Sequence, residues 1–217
     1  CIISMGLKYA GTGDQQAINT IYDEIAKFRK IKQAKCDLAN DPANKSALDQ
    51  YNQFSILCVS VLSCSLILAG TCDVKLLKLI RVLRKKLQDS GLSHYGFNMA
   101  LNMALGFLFL GNGNYSFRRD NVALAGLLIS IYPHFPNHTN DNKYHLQALR
   151  HFYILAIEQR VFYAVDIQGY DIVNVWVEME FQVGKDILIK EKHQTPVLLQ
   201  DSKKLVGVEV IDEEFYK

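Results

Sequence analysis

Three glycine-ended apolar runs recur along the first half of the chain, and a recurrence of that size is the mark of stacked supersecondary units. Gly11, Gly70 and Gly111 follow the runs GLKYA, SLILA and GFLFL, at spacings of 59 and 41 residues. A period near 41 fits a helix–turn–helix unit, and the surplus in the first interval falls in the polar region Lys27–Gln50. The turns of the repeat are expected at Gly6, Ala10, Gly11 and Thr12, at Ala69, Gly70 and Thr71, and at Gly106, Gly111 and Gly113. A glycine at a helix end can take a positive φ, and Ala-Gly-Thr is small enough to let antiparallel helices approach closely.

Between the turns the periodicity is helical. Ala17, Ile18, Ile21, Tyr22, Ile25 and Phe28 form a 3,4-spaced stripe over Gln15–Gln33, followed by a polar loop at about 33–46 containing Asp41-Pro42. Ser46–Leu68 reads as the next helix. Asp73 is a suitable N-cap for Val74–Gln88, whose apolar face is Leu76, Leu77, Ile80, Leu83 and Leu87, with Gly91 as the stop. His94–Leu110 follows as a helix. Another starts at Asp120, and a break from Pro133 to Asn142 leads into a third.

After Arg160 the texture changes to short β-branched and aromatic runs at Val161–Asp166, Ile172–Val183, Ile187–Ile189, Val197–Leu199 and Leu205–Ile211. Val173, Val175, Val177 and Met179 alternate onto one face. The expected fold is therefore mainly α: stacked helix–turn–helix repeats over 1–160, then a small, incomplete β-rich domain over 161–217. The chain opens at Cys1 inside what reads as a helix, as a piece of a longer protein would.

Composition excludes several classes. Apolar residues at 49% suffice for a core, and a net charge of +2 carries no argument for a nucleic-acid partner. The five cysteines are odd in number and contain no CxxC, so neither a disulfide framework nor a cysteine zinc site is expected. Phe54–Gly70 resembles a membrane span but is short, carries four serines and lacks aromatic belts, so it reads as a buried helix. The sequons at Asn44, Asn114 and Asn137 read as unmodified.

The pattern xGLxxAGTxx, repeated near every 41 residues, resembles the proteasome/cyclosome repeat. The text from Gly106 to Ala156 looks more narrowly like the C-terminal repeats in the family of the largest scaffold subunit of the anaphase-promoting complex, the cell-cycle ubiquitin ligase. Its most specific stretch comprises Tyr132, Pro133, His134, Phe135, Pro136, His138, Asp141, Asn142, Tyr144, His145, Leu146, Gln147, Ala148, Leu149, Arg150 and His151. Two positions depart from the family pattern: Gly-Asn-Gly stands after Leu110 in place of a glycine run, and Ser65 replaces a repeat glycine. The resemblance implies a closed toroid of two concentric helical layers, acting in mitosis as a non-catalytic scaffold in nucleus and cytoplasm. Its partners would be the other subunits of the complex and its coactivator, with no cofactor, nucleic acid or membrane. A proteasome base scaffold with the same repeats is the runner-up.

Little else in the sequence points to chemistry. His134, His138, His145 and His151 crowd one stretch, and with Asp141 they could suit a zinc-dependent enzyme; Pro133 and Pro136 make the segment a turn, and no HExxH occurs. Gly106-x4-Gly111 lacks the Lys-Ser/Thr of a phosphate loop. No nucleophile elbow is present. Lys75, Lys78, Arg81, Arg84, Lys85 and Lys86 share one helix with no acid between Val74 and Gln88. That face is either simply solvated or a docking surface for an acidic partner segment.

Overall fold

The structure, a computed structural model, describes residues 1–38, 47–89, 95–131, 135–143, 147–183, 187–199 and 204–212, without the side chains of 28–38, 47–51 and 147. It divides into two units, Cys1–Glu158 and Gln159–Lys217. Each is described separately.

The first unit is helical: α1 (Ile2–Lys8), α2 (Gln15–Leu38), α3 (Ala47–Ile67), α4 (Val74–Asp89), α5 (Tyr95–Leu108) and α6 (Asn121–Ile131), with a 3-10 turn at Leu110–Gly113 and a 3-10 helix at Gln147–Ala156. Helix α3 is the hub, packing against α1, α2, α4 and α5. This is why its sequence is apolar all round. Val61, Leu62, Cys64, Leu66 and Ile67 are buried, as are Ser60, Ser63 and Ser65, and Ser60 and Ser65 are satisfied without leaving the helix. Ser60 Oγ donates to the Ile56 carbonyl at 2.8 Å and Ser65 Oγ to that of Leu62 at 2.7 Å. Among the described residues no helix is long and apolar enough to cross a membrane.

The amphipathic helices bury most of the stripes their spacing predicts; Tyr22 and Leu77 are half-buried, and the Phe28 side chain lies outside the described residues. In α2 the buried members are Ala17, Ile18, Ile21 and Ile25; in α4 they are Leu76, Ile80, Leu83 and Leu87. Each such side chain is worth about 2 kcal/mol, so the four in α4 are enough to hold that helix against its neighbours.

Several boundaries differ from the sequence expectation. Residues 33–38, expected in a loop, continue α2, since Gln33, Ala34 and Lys35 are good helix formers and nothing before Asp41-Pro42 stops them. The rest of that loop, Ser46, Gly91 and His94 lie outside the described residues. The segment after the Pro136 break is a 3-10 helix, not an α-helix. Its three-residue period stacks Arg150, Tyr153 and Ala156 on one side, and Arg150 and Ala156 are buried. It packs on α6, where Gly126 makes room: a Cβ there would sit 2.7 Å from the Phe152 carbonyl oxygen.

A short strand was also missed. β1 (Tyr115–Phe117) lies between the third turn and α6, pairing with β2 (Ile157–Gln159), on which the first unit ends. Three residues show no period in sequence, and their partner is about 40 residues away.

The second unit is β-rich: β3 (Val161–Phe162), β4 (Ala164–Val165), β5 (Ile172–Val173), β6 (Trp176–Gln182), β7 (Leu188–Gln194), β8 (Val197–Leu198) and β9 (Leu205–Val210). β6 is central, between β7 and β9, both antiparallel to it. β3 pairs with β8, and β4 with β5. Val175, Val177 and Met179 form its core with Leu199, and Val173 packs against them. Glu178 and Glu180 alternate to the other face, where Lys190 of β7 lies 3.3 and 2.7 Å from their carboxylates. That pairing explains why LIKEKHQ is a strand although only its start reads as one. Gly184 and Lys185 lie outside the described residues.

Candidate scaffold surfaces

The glycine turns form a ladder that joins successive repeats. After α1, the amides of Gly11 and Gly13 donate to the Leu66 and Ile67 carbonyls, at 2.8 and 2.9 Å. After α3, those of Gly70 and Cys72 donate to Phe107 and Leu108, at 3.0 and 3.1 Å. The last carbonyls of α3 and α5, which no amide of their own helix can reach, are thus capped by the preceding repeat's turn. After β1, Arg118 N extends the pattern to the carbonyl of Ala156 at 2.7 Å.

The turns are built alike. Thr12 Oγ1 donates to the Tyr9 carbonyl at 2.7 Å, and Thr71 Oγ1 to that of Leu68 at 2.8 Å. Asp14 then accepts from Ala17 N, Asp73 from Leu76 N and Asp120 from Ala123 N, so each turn leads into a side-chain N-cap. Aiming two alternate amides at the next helix needs positive φ at both positions. Gly11 and Gly13 have φ of 70° and 65°, and Gly70 and Cys72 have 71° and 55°. In the third turn Gly111, Asn112 and Gly113 are all positive. Cys72 and Asn112 were not anticipated in this conformation; asparagine adopts it more readily than most residues, while cysteine carries no such signal.

The next helix approaches these glycines on their amide side, as expected, and β1, which was not expected, fills the side where a Cβ would stand. A Cβ on Gly70 would collide with the Tyr115 carbonyl oxygen, one on Gly11 with that of Phe117, and one on Gly111 with the Tyr115 ring. Ser116 Oγ lies 3.2 Å from the Gly11 carbonyl and 3.4 Å from that of Ala69, tying the first two turns together. Ala10 and Ala69 are fully buried behind them. Gly6 and Gly106 are not turn residues. Gly6 lies within α1 and lets it close on α3 at Ser63; Gly106 lies within α5 and faces open space.

Of the signature segment, Tyr132, Pro133, His134, Tyr144, His145 and Leu146 lie outside the described residues. The rest folds back on α5 and α6. Pro136 covers Gly96, whose missing side chain leaves room for the Pro136 carbonyl. Arg150, only 4% exposed, donates Nη1 to the Ser130 carbonyl at 3.2 Å, and its guanidinium stands 4.5 Å over the Phe135 ring. Burial lowers its pKa to about 10, which leaves it a cation at neutral pH. Asp141 accepts from the amides of Asn137 and Lys143, and those two bonds hold its carboxyl below the usual range. Gln147, Ala148, Leu149 and His151 belong to the 3-10 helix. Ala148, Arg150, His151 and Tyr153 face Asn98, Met103 and Gly106 of α5 across a cavity of about 580 Å3.

His138 is exposed in its turn, and among the described residues no three His, Cys, Asp or Glu side chains are placed to hold a metal. Cys58 and Cys64 are buried in α3, which pushes both thiols up to about 12. On α4, Lys75, Lys78, Arg81, Arg84, Lys85 and Lys86 are all exposed, opposite the buried leucines and isoleucine. Lys75 Nζ lies 4.2 Å over the Tyr22 ring.

A family model described as the APC1 fifth domain matches residues 1–158, which are the whole helical unit. The chain is 40% identical over 165 residues to anaphase-promoting complex subunit 1 of Homo sapiens, covering 76% of this chain and 8% of that protein. It is 36% identical over 213 residues to the subunit of the same name in Dictyostelium discoideum, covering 95% and 9%. A protein of Emericella nidulans called negative regulator of mitosis is 29% identical over 213 residues, covering 98% and 10%. The chain thus spans a tenth or less of the length of these relatives.

Proposed function

The chain belongs to the APC1 fifth-domain family, and from that premise we propose that it is a non-catalytic scaffold segment of an anaphase-promoting complex. Its role is to hold other subunits in place while ligase chemistry is done elsewhere. The observation that carries this reading is the turn ladder. Gly11, Gly13, Gly70 and Cys72 each cap the next repeat's helix, so the repeats are braced to one another along a continuous core. A brace of that kind transmits position. Cyclosome subunits and the coactivator are the proposed partners, the nucleus and cytoplasm the proposed location, and mitotic progression the process served.

The test is affinity purification of the full-length protein with identification of what accompanies it. Recovery of anaphase-promoting complex subunits in stoichiometric amounts is the expected result. Recovery of proteasome base subunits, or of no stable companions, would overturn it.

A further inference from the structure

The scaffold reading leaves the outer face of α4 without a task. Six cations lie between Lys75 and Lys86, a rise of about 16 Å along the helix, in a chain whose net charge is only +2. The rest of the chain is therefore net acidic, and the positive charge is concentrated here. Elsewhere some surface cations are paired: Lys27 with Glu24, Arg118 with Asp120, and Lys190 with two glutamates. On α4, no ion pair is made by any of the six among the described residues. Lys75–Lys78, Lys78–Arg81, Arg81–Arg84 and Arg81–Lys85 are like-charge neighbours at helical spacing, and each weakens the helix unless opposite charge is supplied.

The geometry of the face narrows what could supply it. Lys78, Arg81 and Lys85 run along the side directly opposite the buried stripe, with Lys75 and Lys86 on one flank and Arg84 on the other. Val74 and Val82 stand exposed within the basic face, at 59% and 44%. A helix that binds anionic lipid lays its apolar face on the membrane, but the apolar face of α4 is committed to the core. Single-stranded nucleic acid is held by stacking on aromatic side chains, and this face carries valines instead.

We propose that this face of α4 docks an acidic protein segment, its carboxylates lying along Lys78, Arg81 and Lys85 and its apolar side chains covering Val74 and Val82. This rests on the scaffold reading, which supplies neighbouring subunits for such a segment to belong to.

The test places p-benzoylphenylalanine at Val82 of the full-length protein. The protein is irradiated in the assembly with which it purifies, and the cross-linked partner is sequenced by mass spectrometry. The expected partner is a protein segment in which Asp and Glu outnumber Lys and Arg. Its yield should fall about tenfold in Arg81→Glu/Lys85→Glu and stay unchanged in Lys78→Arg/Lys85→Arg. Should the charge-reversed protein melt early, Arg81→Gln/Lys85→Gln serves in its place and should also lower the yield. The proposal is overturned by no cross-link, by one to a neutral or basic segment, nucleic acid or lipid, or by a yield indifferent to charge. An acidic cross-link in an assembly without cyclosome subunits would uphold the docking face and refute the scaffold reading. Cyclosome subunits without the cross-link would do the reverse.

Discussion

The amide of Gly70 donates to the carbonyl of Phe107 at 3.0 Å, so the turn that ends one repeat caps the helix that ends the next. The ring of the same Phe107 stands edge-on to Phe117 and to Tyr153, each at 5.2 Å between centroids. One residue thus gathers a turn from behind, a strand from above and the 3-10 helix from ahead. Breaking the Gly70 contact should loosen more than one repeat.

Gly70→Val places a β-branched residue at a φ of 71° and drives it into the Tyr115 carbonyl. It should cost about 3 kcal/mol. Gly106→Ala changes a helical glycine facing open space and should stabilise by about 0.5–1 kcal/mol. Hydrogen exchange across α3 and α5 distinguishes them, with protection lost in the first and kept or raised in the second. Equal protection in both would mean the turn is not a joint.

Cys58 and Cys64 should resist alkylation at pH 8 in the folded protein. Burial raises both thiols from 9.0 to about 12, favouring their neutral form in the folded state. Their contribution to stability is complete below pH 9. It is lost from there towards pH 12, as unfolded thiols ionise and folded ones do not, with a slope of about 1.4 kcal/mol per pH unit for each. Rapid labelling of both at pH 8 without unfolding would contradict this.

Thr195 is the polar tie of the β-rich unit. Its hydroxyl donates to the Val173 carbonyl at 2.8 Å and accepts from Val175 N at 3.0 Å, at 1% exposure. Thr195→Val removes both bonds while preserving shape and should cost about 1–3 kcal/mol. Thr195→Ser should recover most of that loss. The check is chemical denaturation followed by the fluorescence of the single tryptophan, Trp176 on β6; equal midpoints for wild type and valine would contradict it.

The parts legible in sequence are those set by local spacing. Ile18, Ile21 and Ile25, or Leu76, Ile80 and Leu83, name a buried face because each lies one turn from the next. Gly11, Gly70 and Gly111 name the turns because few residues other than glycine take a positive φ readily. The parts that stayed hidden are set at long range. Tyr115–Phe117 is a strand because it pairs with Ile157–Gln159 about 40 residues later, in the room left by turns about 45 and 105 residues earlier. Lys190 sits in a strand with Glu180 directly across from it and Glu178 within reach, which no propensity records. The basic face of α4 was readable as charge, but its lack of ion pairs among the described residues emerged only from the fold.

The ladder's part in scaffolding is tested most directly by breaking it in the full-length protein. Gly11→Val/Gly70→Val, purified by affinity beside wild type, should fail to hold the cyclosome subunits that the proposed function expects with wild type. A variant that brings down the same subunits in the same amounts, with α3 and α5 as protected from exchange as before, would contradict it.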